Sequence, residues 1–421
     1  MTKRILMVPY HFPPASGSSG HLRALSFVRE LPRHGWEPIV LTATRTAYAA
    51  STNGAKTEIP DGVRIHRAFA LDAARHLAFR GRYFRRTALP DRWANWVFAA
   101  IPLGLALIAR YRPKVLWTTY PIATAHLIGL ALNKLTGIPW IADFRDPMME
   151  VDPYTGQRYP GEPDLWNARS WIESRALQNS SRSVFVSAGA LKICKERYPQ
   201  LQPSNFSLVP NGYDEESFAE AEKRVRARPN PTGPRILLHS GLLYPTPDRD
   251  PKDFFVALAE MKRENAVSAD SLQVILRASG YEERYRKQIA ELGIADIVRL
   301  EPPKSYVDAL AEMLTVDGLL LFQGYTSNPA IPAKLYEYFR ARRPIFALVH
   351  EDGETAATLR AERVGTIVPL DSSKLIAAGL RKFLSELGNQ AGAVPSIDAV
   401  QKHSRTARAA EFAALLDEVA R

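Results

Sequence analysis

Short apolar runs separated by helical stretches, in a pattern that restarts past residue 234, constrain the fold of this chain more than any other feature. KRILMVPY (3–10), EPIVLTA (37–43), VRIHRAF (63–69), KVLWTTY (114–120), PWIADF (139–144) and SVFVSA (183–188) are rich in β-branched or aromatic residues and read as buried strands. Helical stretches lie between most of them, as at 20–34, 123–135 and 164–180, which predicts a parallel sheet with helices on both faces. RILLHSG, LQVILRASG, IVRLEP, GLLLFQG, PIFALV and GTIVPL repeat the pattern from residue 235, and the Pro/Gly-rich RPNPTGP (228–234) marks a join. The expected architecture is α/β, with two doubly wound, Rossmann-like parallel-sheet domains facing a cleft. Residues 1–212 are expected to form the first domain and 213–396 the second. A final helical segment, 397–421, is free on the pattern alone to pack on either domain, crossing back to the first being one alternative.

At 421 residues there is enough chain for two full cores. A single cysteine, Cys194, excludes an internal disulfide and any cysteine-based zinc site, and the cytoplasm is the expected home. The opening MTKRILMVPYHFPP lacks the apolar core and cleavage site of a signal peptide. Charge is unevenly placed: residues 1–210 hold 27 Lys/Arg against 14 Asp/Glu, and residues 211–421 hold 28 against 30. Within the first half, residues 64–114 carry eleven basic residues and two acidic ones, Asp72 and Asp91. RHLAFRGRYFRR (75–86) mixes arginine with Leu77, Phe79, Tyr83 and Phe84, a surface suited to the anionic inner leaflet of a membrane. No nucleic-acid motif accompanies it, so no nucleic-acid partner is expected. The uncharged stretch 93–109, with Asn95, Pro102 and Gly104, is shorter than the usual span and is expected to be a core helix of the first domain, not a transmembrane one.

Open α/β sheets bind ligands beyond the carboxyl ends of their strands, so functional residues are expected in the loops there. The first such loop, HFPPASGSSGHLRA (11–24), carries Gly17 and Gly20 at a helix start, where backbone can approach an anion. It does not match G-x-G-x-x-G. In IPAKLYEYFRARRPIFAL (331–348), Pro332 suits the first turn of a helix, and Pro344 is expected to stop that helix. Lys334 and Glu337 lie on one face, where they form either a phosphate and sugar patch or a surface ion pair.

In order along the chain, the Gly/Ser loop, HGWEPIVLT (34–42), TGIPWIADFRDP (136–147), VPNGYD (209–214), SGLLYPTPDRDP (240–251) and IPAKLYEY (331–338) resemble the family 4 glycosyltransferases of the GT-B fold. The resemblance spans nearly the whole chain and is carried by the combination. It implies a retaining, metal-independent enzyme of cell-surface polysaccharide synthesis that moves a sugar from a nucleotide diphosphate to a glycan or lipid-linked acceptor. No cofactor is implied beyond the nucleotide-sugar co-substrate. Glu337 is implied as acceptor of the ribose hydroxyl hydrogen bonds. Lys334, with Gly241, Arg249 and Lys252 of the loop after RILLHSG, is implied at the diphosphate. The family's E-x7-E pair lacks its first member, because Pro329 stands there, and Asn328 is the substitute candidate for the donor-sugar pocket.

DRD (248–250) also matches the D-x-D metal pattern of the other glycosyltransferase fold, so Arg249 as a phosphate clamp competes with Asp248 and Asp250 as ligands. Many relatives carry a histidine after the fifth strand. ADFRDP stands there instead, making Asp143, Arg145 and Asp146 candidates for orienting the acceptor or donor sugar, against a salt-bridged strand end. Tyr120 and Tyr154, the latter in the loop 148–166 expected to act as a lid, are candidates for the acceptor pocket. His11, His21, His126 and His239 are each expected to be structural or accessory, and none has metal spacing. Two further readings compete: a GT-B-fold sugar-nucleotide epimerase, and a non-catalytic nucleotide-binding scaffold, of which the missing glutamate would be a sign.

Overall fold

The apolar runs of the first half become β1 (Lys3–Pro9), β2 (Trp36–Ala43), β3 (Arg64–Ala68), β4 (Val115–Thr119) and β5 (Trp140–Arg145) in the computed structural model. A short antiparallel hairpin, β6 (Glu150–Val151) with β7 (Arg158–Tyr159), follows, then β8 (Arg182–Phe185) and β9 (Phe206–Leu208). The structure describes residues 3–15, 19–49, 59–80, 82–152, 155–226, 233–388 and 392–421. The main sheet is parallel, in the order β3-β2-β1-β4-β5-β8-β9, so the strand order reverses between β1 and β4. Ile5 pairs with Pro38 on one side and Val115 on the other. Every residue of β4 is buried, as expected of a strand covered on both faces.

The second half gives β10 (Arg235–Ser240), β11 (Leu272–Arg277), β12 (Val298–Glu301), β13 (Gly318–Gln323), β14 (Ile345–Val349) and β15 (Thr366–Val368). They form a parallel sheet in the order β12-β11-β10-β13-β14-β15, with its own reversal between β10 and β13. Leu238 pairs with Ile275 and with Leu319 across that point. Two apolar clusters, one around Phe254 and Phe322 and the other around Leu335 and Tyr338, make up this unit's core.

The chain divides into a unit of Met1–Asn211 with Thr406–Arg421 and a unit of Gly212–Arg405. The first crossing therefore falls between Asn211 and Gly212, not at the proline-rich 228–234, of which residues 227–232 lie outside the described ones. Its place follows from capping: Asp214 accepts from the Ser217 N–H at 2.8 Å and starts the helix Glu215–Arg224, which packs in the second unit. The segment from 397 is two helices. Ile397–Lys402 belongs to the second unit, while Thr406–Arg421 belongs to the first, where Phe412 stacks on Phe27 at 4.4 Å and Asp417 accepts from the Trp36 indole at 2.9 Å.

Two expectations need correction. β9 went unread because only Phe206 of its three residues is buried, too little for a visible apolar run. The stretch 93–109 does form a helix, Val97–Tyr111, but only Ala100, Gly104 and Leu107 are buried on it, so it contributes one face to the core rather than lying within it.

Candidate active site

In the second unit, the helix Lys334–Ala341 begins beyond the carboxyl edge of the sheet. Pro332 stands just outside it, with Ala333 as the flanking residue, and its carbonyl accepts from the Leu335 N–H at 2.9 Å. Its ring therefore shapes the lead-in turn rather than the first helical turn expected. The other end closes at Arg342, in the left-handed region at φ 50°, ahead of Pro344. The arginines of this helix end are structural: Arg340 bonds Glu215 and Glu222, Arg342 reaches the Pro395 carbonyl, and Arg343 reaches the Leu314 carbonyl.

Lys334 turns back to the end of β10. Its Nζ donates to the Ser240 carbonyl at 2.9 Å and lies 3.3 Å from His239 Nε2. The His239 Nδ1 sits 2.9 Å from the Leu320 carbonyl, which can only accept, so Nδ1 carries the proton and Nε2 faces the lysine as an acceptor. Burial, with Lys334 next, holds the imidazole well below its usual pKa, and it stays neutral. Burial, followed by the charge of Arg249, pushes the Lys334 ammonium down to about 7. A Cβ on Gly241, at φ +126°, would stand 2.7 Å from Lys334 Nζ, so glycine is what lets the backbone come this close to the cation.

Arg249 reaches this neighbourhood from the loop after β10, paired with Asp248 at 3.1 Å and lying over the Tyr244 ring. Asp248 also accepts from Thr326, whereas Asp250 accepts from the Lys252 N–H and faces Arg284, so the two carboxylates of DRD have different partners. Lys252 opens the helix Lys252–Arg263 with its side chain exposed. Among the described residues, no group of three or more His, Cys, Asp or Glu comes together as metal ligands would.

Glu337, one turn on from Lys334, is half-buried and accepts from the Tyr306 hydroxyl at 2.8 Å. Burial raises its carboxyl pKa, while Tyr306, Arg405 and Lys334 act the other way. Tyr306 leaves one Glu337 oxygen for a second donor, and its part was not legible because it lies 31 residues away on another helix. Gln323, buried at the end of β13, donates to the Ser327 and Ala330 carbonyls and accepts from Thr355, fixing the loop that leads to Pro332. Asn328 packs at the start of the helix Glu354–Ala361: its carbonyl accepts from the Glu354 N–H, and its Oδ1 would stand 2.9 Å from a Cβ on Gly353.

The first unit's strand ends are arranged differently. Asp143 is fully buried and accepts from Arg23 Nε at 2.8 Å, from its Nη2 at 3.3 Å and from Thr119. Arg23 also donates to the Val209 and Pro210 carbonyls. Asp143 is thus a salt-bridged strand end, tying the helix Ser19–Glu30 to β5 and, through Arg23, to the chain beyond β9. Arg145 and Asp146 are half-buried past the bulge of β5, where Arg145 takes a left-handed φ of 64°. Burial draws the pKa of Arg145 down and that of Asp146 up. His11 joins them: burial, then Arg145 and His21, holds it down to about 4.

Tyr120, at the end of β4, accepts from Arg169 at 3.3 Å, and burial raises its pKa to about 12. His126 is a core residue bonded to Thr118 at 2.7 Å and held to about 3 by burial. Gly20 lies in the first turn of its helix, whereas Gly17 and Tyr154 fall outside the described residues. The expected lid at 148–166 holds the β6–β7 hairpin and the start of the helix Pro163–Asn179.

Residues 20–212 match the family described as glycosyl transferase 4-like domain. No curated protein sequence matches the chain. Among solved structures, sucrose-phosphate synthase from Thermosynechococcus elongatus aligns with a TM-score of 0.64 at 16% identity, over 99% of both chains. HepE of Anabaena, in complex with UDP and glucose, aligns at 0.65 and 12% identity, over 99% of this chain and 100% of its own. A putative UDP-N-acetylglucosamine 2-epimerase from Listeria monocytogenes aligns at 0.59 and 12%, over 99% of this chain and 96% of its own. At these identities the likeness is one of fold, and the fold is GT-B.

Proposed function

We propose that this chain, whose residues 20–212 form a glycosyl transferase 4-like domain on the GT-B fold, is a retaining, metal-independent glycosyltransferase. In this reading it moves a sugar from a nucleoside diphosphate to a lipid-linked glycan at the cytoplasmic face of a membrane, in polysaccharide biosynthesis. One observation carries the donor half: Lys334 is held by a carbonyl and a neutral imidazole, so its charge is available to an anion, and the Glu337 carboxylate lies one turn away. A diphosphate and a ribose diol need that pairing. The UDP and glucose bound by HepE, which shares the fold, support a nucleotide-sugar donor.

In the reaction the bond between the anomeric carbon and the diphosphate oxygen breaks while the acceptor oxygen bonds to that carbon. Lys334 and Arg249 stabilise the negative charge that develops on the diphosphate. The acceptor's proton passes to the departing phosphate on the same face of the sugar, which retains configuration without a protein nucleophile. Arg145, Asp146 and Tyr120 orient the acceptor.

Two measurements test the reading. A thermal-shift screen of nucleoside diphosphates is expected to raise the melting temperature with one base above the rest. No rise with any of them removes the donor site. Turnover of the matching nucleotide sugar, followed by NMR of the anomeric proton, is expected to continue in chelator with retention. Loss of turnover restored by manganese or magnesium overturns the metal-free mechanism.

A further inference from the structure

The stretch from Phe69 to Phe98 holds six of the first unit's exposed large hydrophobic side chains, with Phe79 78%, Phe84 71% and Phe98 80% exposed. Its two acidic residues face inward. Asp72 is fully buried and accepts from the Ala74 N–H, and Asp91 is buried and binds Thr124 through both its backbone and its hydroxyl. The arginines of the same stretch are exposed, so the charge it shows to solvent among the described residues is positive. The sequence counts acidic and basic residues alike; the fold removes the acidic ones from the surface.

The segment is also built to enter an interface. Phe79 and Arg82 exchange both backbone hydrogen bonds, at 2.8 and 3.0 Å, so neither residue brings an unpaired backbone group with its side chain. Asn95 bonds the Leu71 N–H and carbonyl, each at 2.8 Å, and Ala73 N–H bonds the Arg92 carbonyl, which ties the segment to the start of the helix Val97–Tyr111. That helix turns an uncharged stripe outward, Phe98, Pro102, Ala106 and Ala109, at helical spacing. Its extended stretch Ala94–Tyr111 is long and apolar enough to cross a membrane by length and composition, yet only 22% of it is buried inside the protein.

We propose that this surface inserts into the anionic leaflet of a bilayer, with Phe79, Phe84 and Phe98 entering the headgroup and acyl boundary while Arg82 and Arg86 engage lipid phosphates. The proposal rests on the reading of a lipid-linked acceptor and adds the face by which the protein sits on that lipid. Charge complementarity selects the occupant. A second copy would set arginine against arginine, and a nucleic acid would leave the benzyl groups and the apolar stripe facing a polar partner. Aromatic insertion together with arginine contacts is what binds an interfacial segment firmly.

The test uses the full chain and sedimentation with phosphatidylcholine vesicles, with and without phosphatidylglycerol. Binding is expected only with the anionic lipid and is weakened by salt. The combined change Phe79→Ser, Phe84→Ser and Phe98→Ser should reduce binding more than tenfold and abolish the surface-pressure rise of an anionic monolayer. Arg82→Ser and Arg86→Ser should each cost about fivefold at low salt. Nucleoside diphosphate affinity, unchanged in every variant, shows that the protein is folded and keeps the two readings apart. Equal binding to neutral vesicles, binding that survives the phenylalanine changes, tighter binding to RNA, or self-association lost on those changes would each overturn the insertion surface while leaving the donor site intact.

Discussion

Lys334 in the second unit and Arg23 in the first are both cations held at the carboxyl edge of a parallel sheet, but their partners differ in kind. Arg23 meets the carboxylate of Asp143 with two nitrogens and gives two further hydrogen bonds to the Val209 and Pro210 carbonyls, so its charge is neutralised and four of its five donors are engaged. Lys334 meets a carbonyl and an uncharged imidazole, which satisfy donors without cancelling charge. A buried carboxylate paired with arginine fastens elements together. A cation held by neutral acceptors is poised for an anionic ligand, and burial together with the charge of Arg249 lowers the pKa of Lys334.

The sharpest way to break this contrast is to neutralise each side. Asp143→Asn leaves Arg23 buried without its counter-charge and should cost about 3–5 kcal/mol of stability, read as a lower urea midpoint with unchanged slope. An unchanged midpoint would make the pair dispensable and the comparison empty. Lys334→Met should do the reverse: folding stability holds or rises, while nucleoside diphosphate affinity falls by roughly 2–4 kcal/mol in calorimetry. If stability drops and affinity does not, Lys334 is a structural residue like Arg23.

Glu337→Ala sharpens the donor side further. It should weaken nucleotide binding by roughly 1.5–3 kcal/mol through loss of charged hydrogen bonds to the ribose diol, and leave affinity for inorganic pyrophosphate unchanged. A parallel loss for pyrophosphate would argue against a ribose contact.

The smallest effect is on pH. Lys334 has an ordinary value of 10.5 and a folded one of about 7, so the unfolded chain binds the extra proton between those limits, and this position's contribution to stability rises with pH across that window. A bound diphosphate restores the charge. Binding should therefore take up a proton, and affinity should fall as pH rises above 7, by about tenfold per unit at the steepest. Calorimetry in buffers of different ionisation enthalpy measures the uptake, and Lys334→Arg should abolish it. A flat profile in the unaltered protein means that the ammonium is charged before the ligand arrives.

Much of the fold was legible because a parallel strand covered on both faces has to be apolar along its length. Runs such as KVLWTTY and GLLLFQG announce themselves without any knowledge of their neighbours. The strands that escaped are short or sit at an edge, β9 with one buried residue and the β6–β7 hairpin with none. Lys334 and Glu337 were legible for a similar reason, since their spacing places them on one helical face whatever the helix packs against.

Partner choice was not legible. Lys334 and His239 are 95 residues apart, and Arg23 and Asp143 are 120 apart. They meet only because the strand order in each sheet reverses, after β1 in one and after β10 in the other, which brings loops distant in sequence to the same edge. Local periodicity therefore determined which segments are strands and helices and which residues stand at their ends. Whether a charge standing there is cancelled, as for Arg23, or held ready, as for Lys334, was decided by tertiary packing, because that depends on the group that comes to lie within about 3 Å of it.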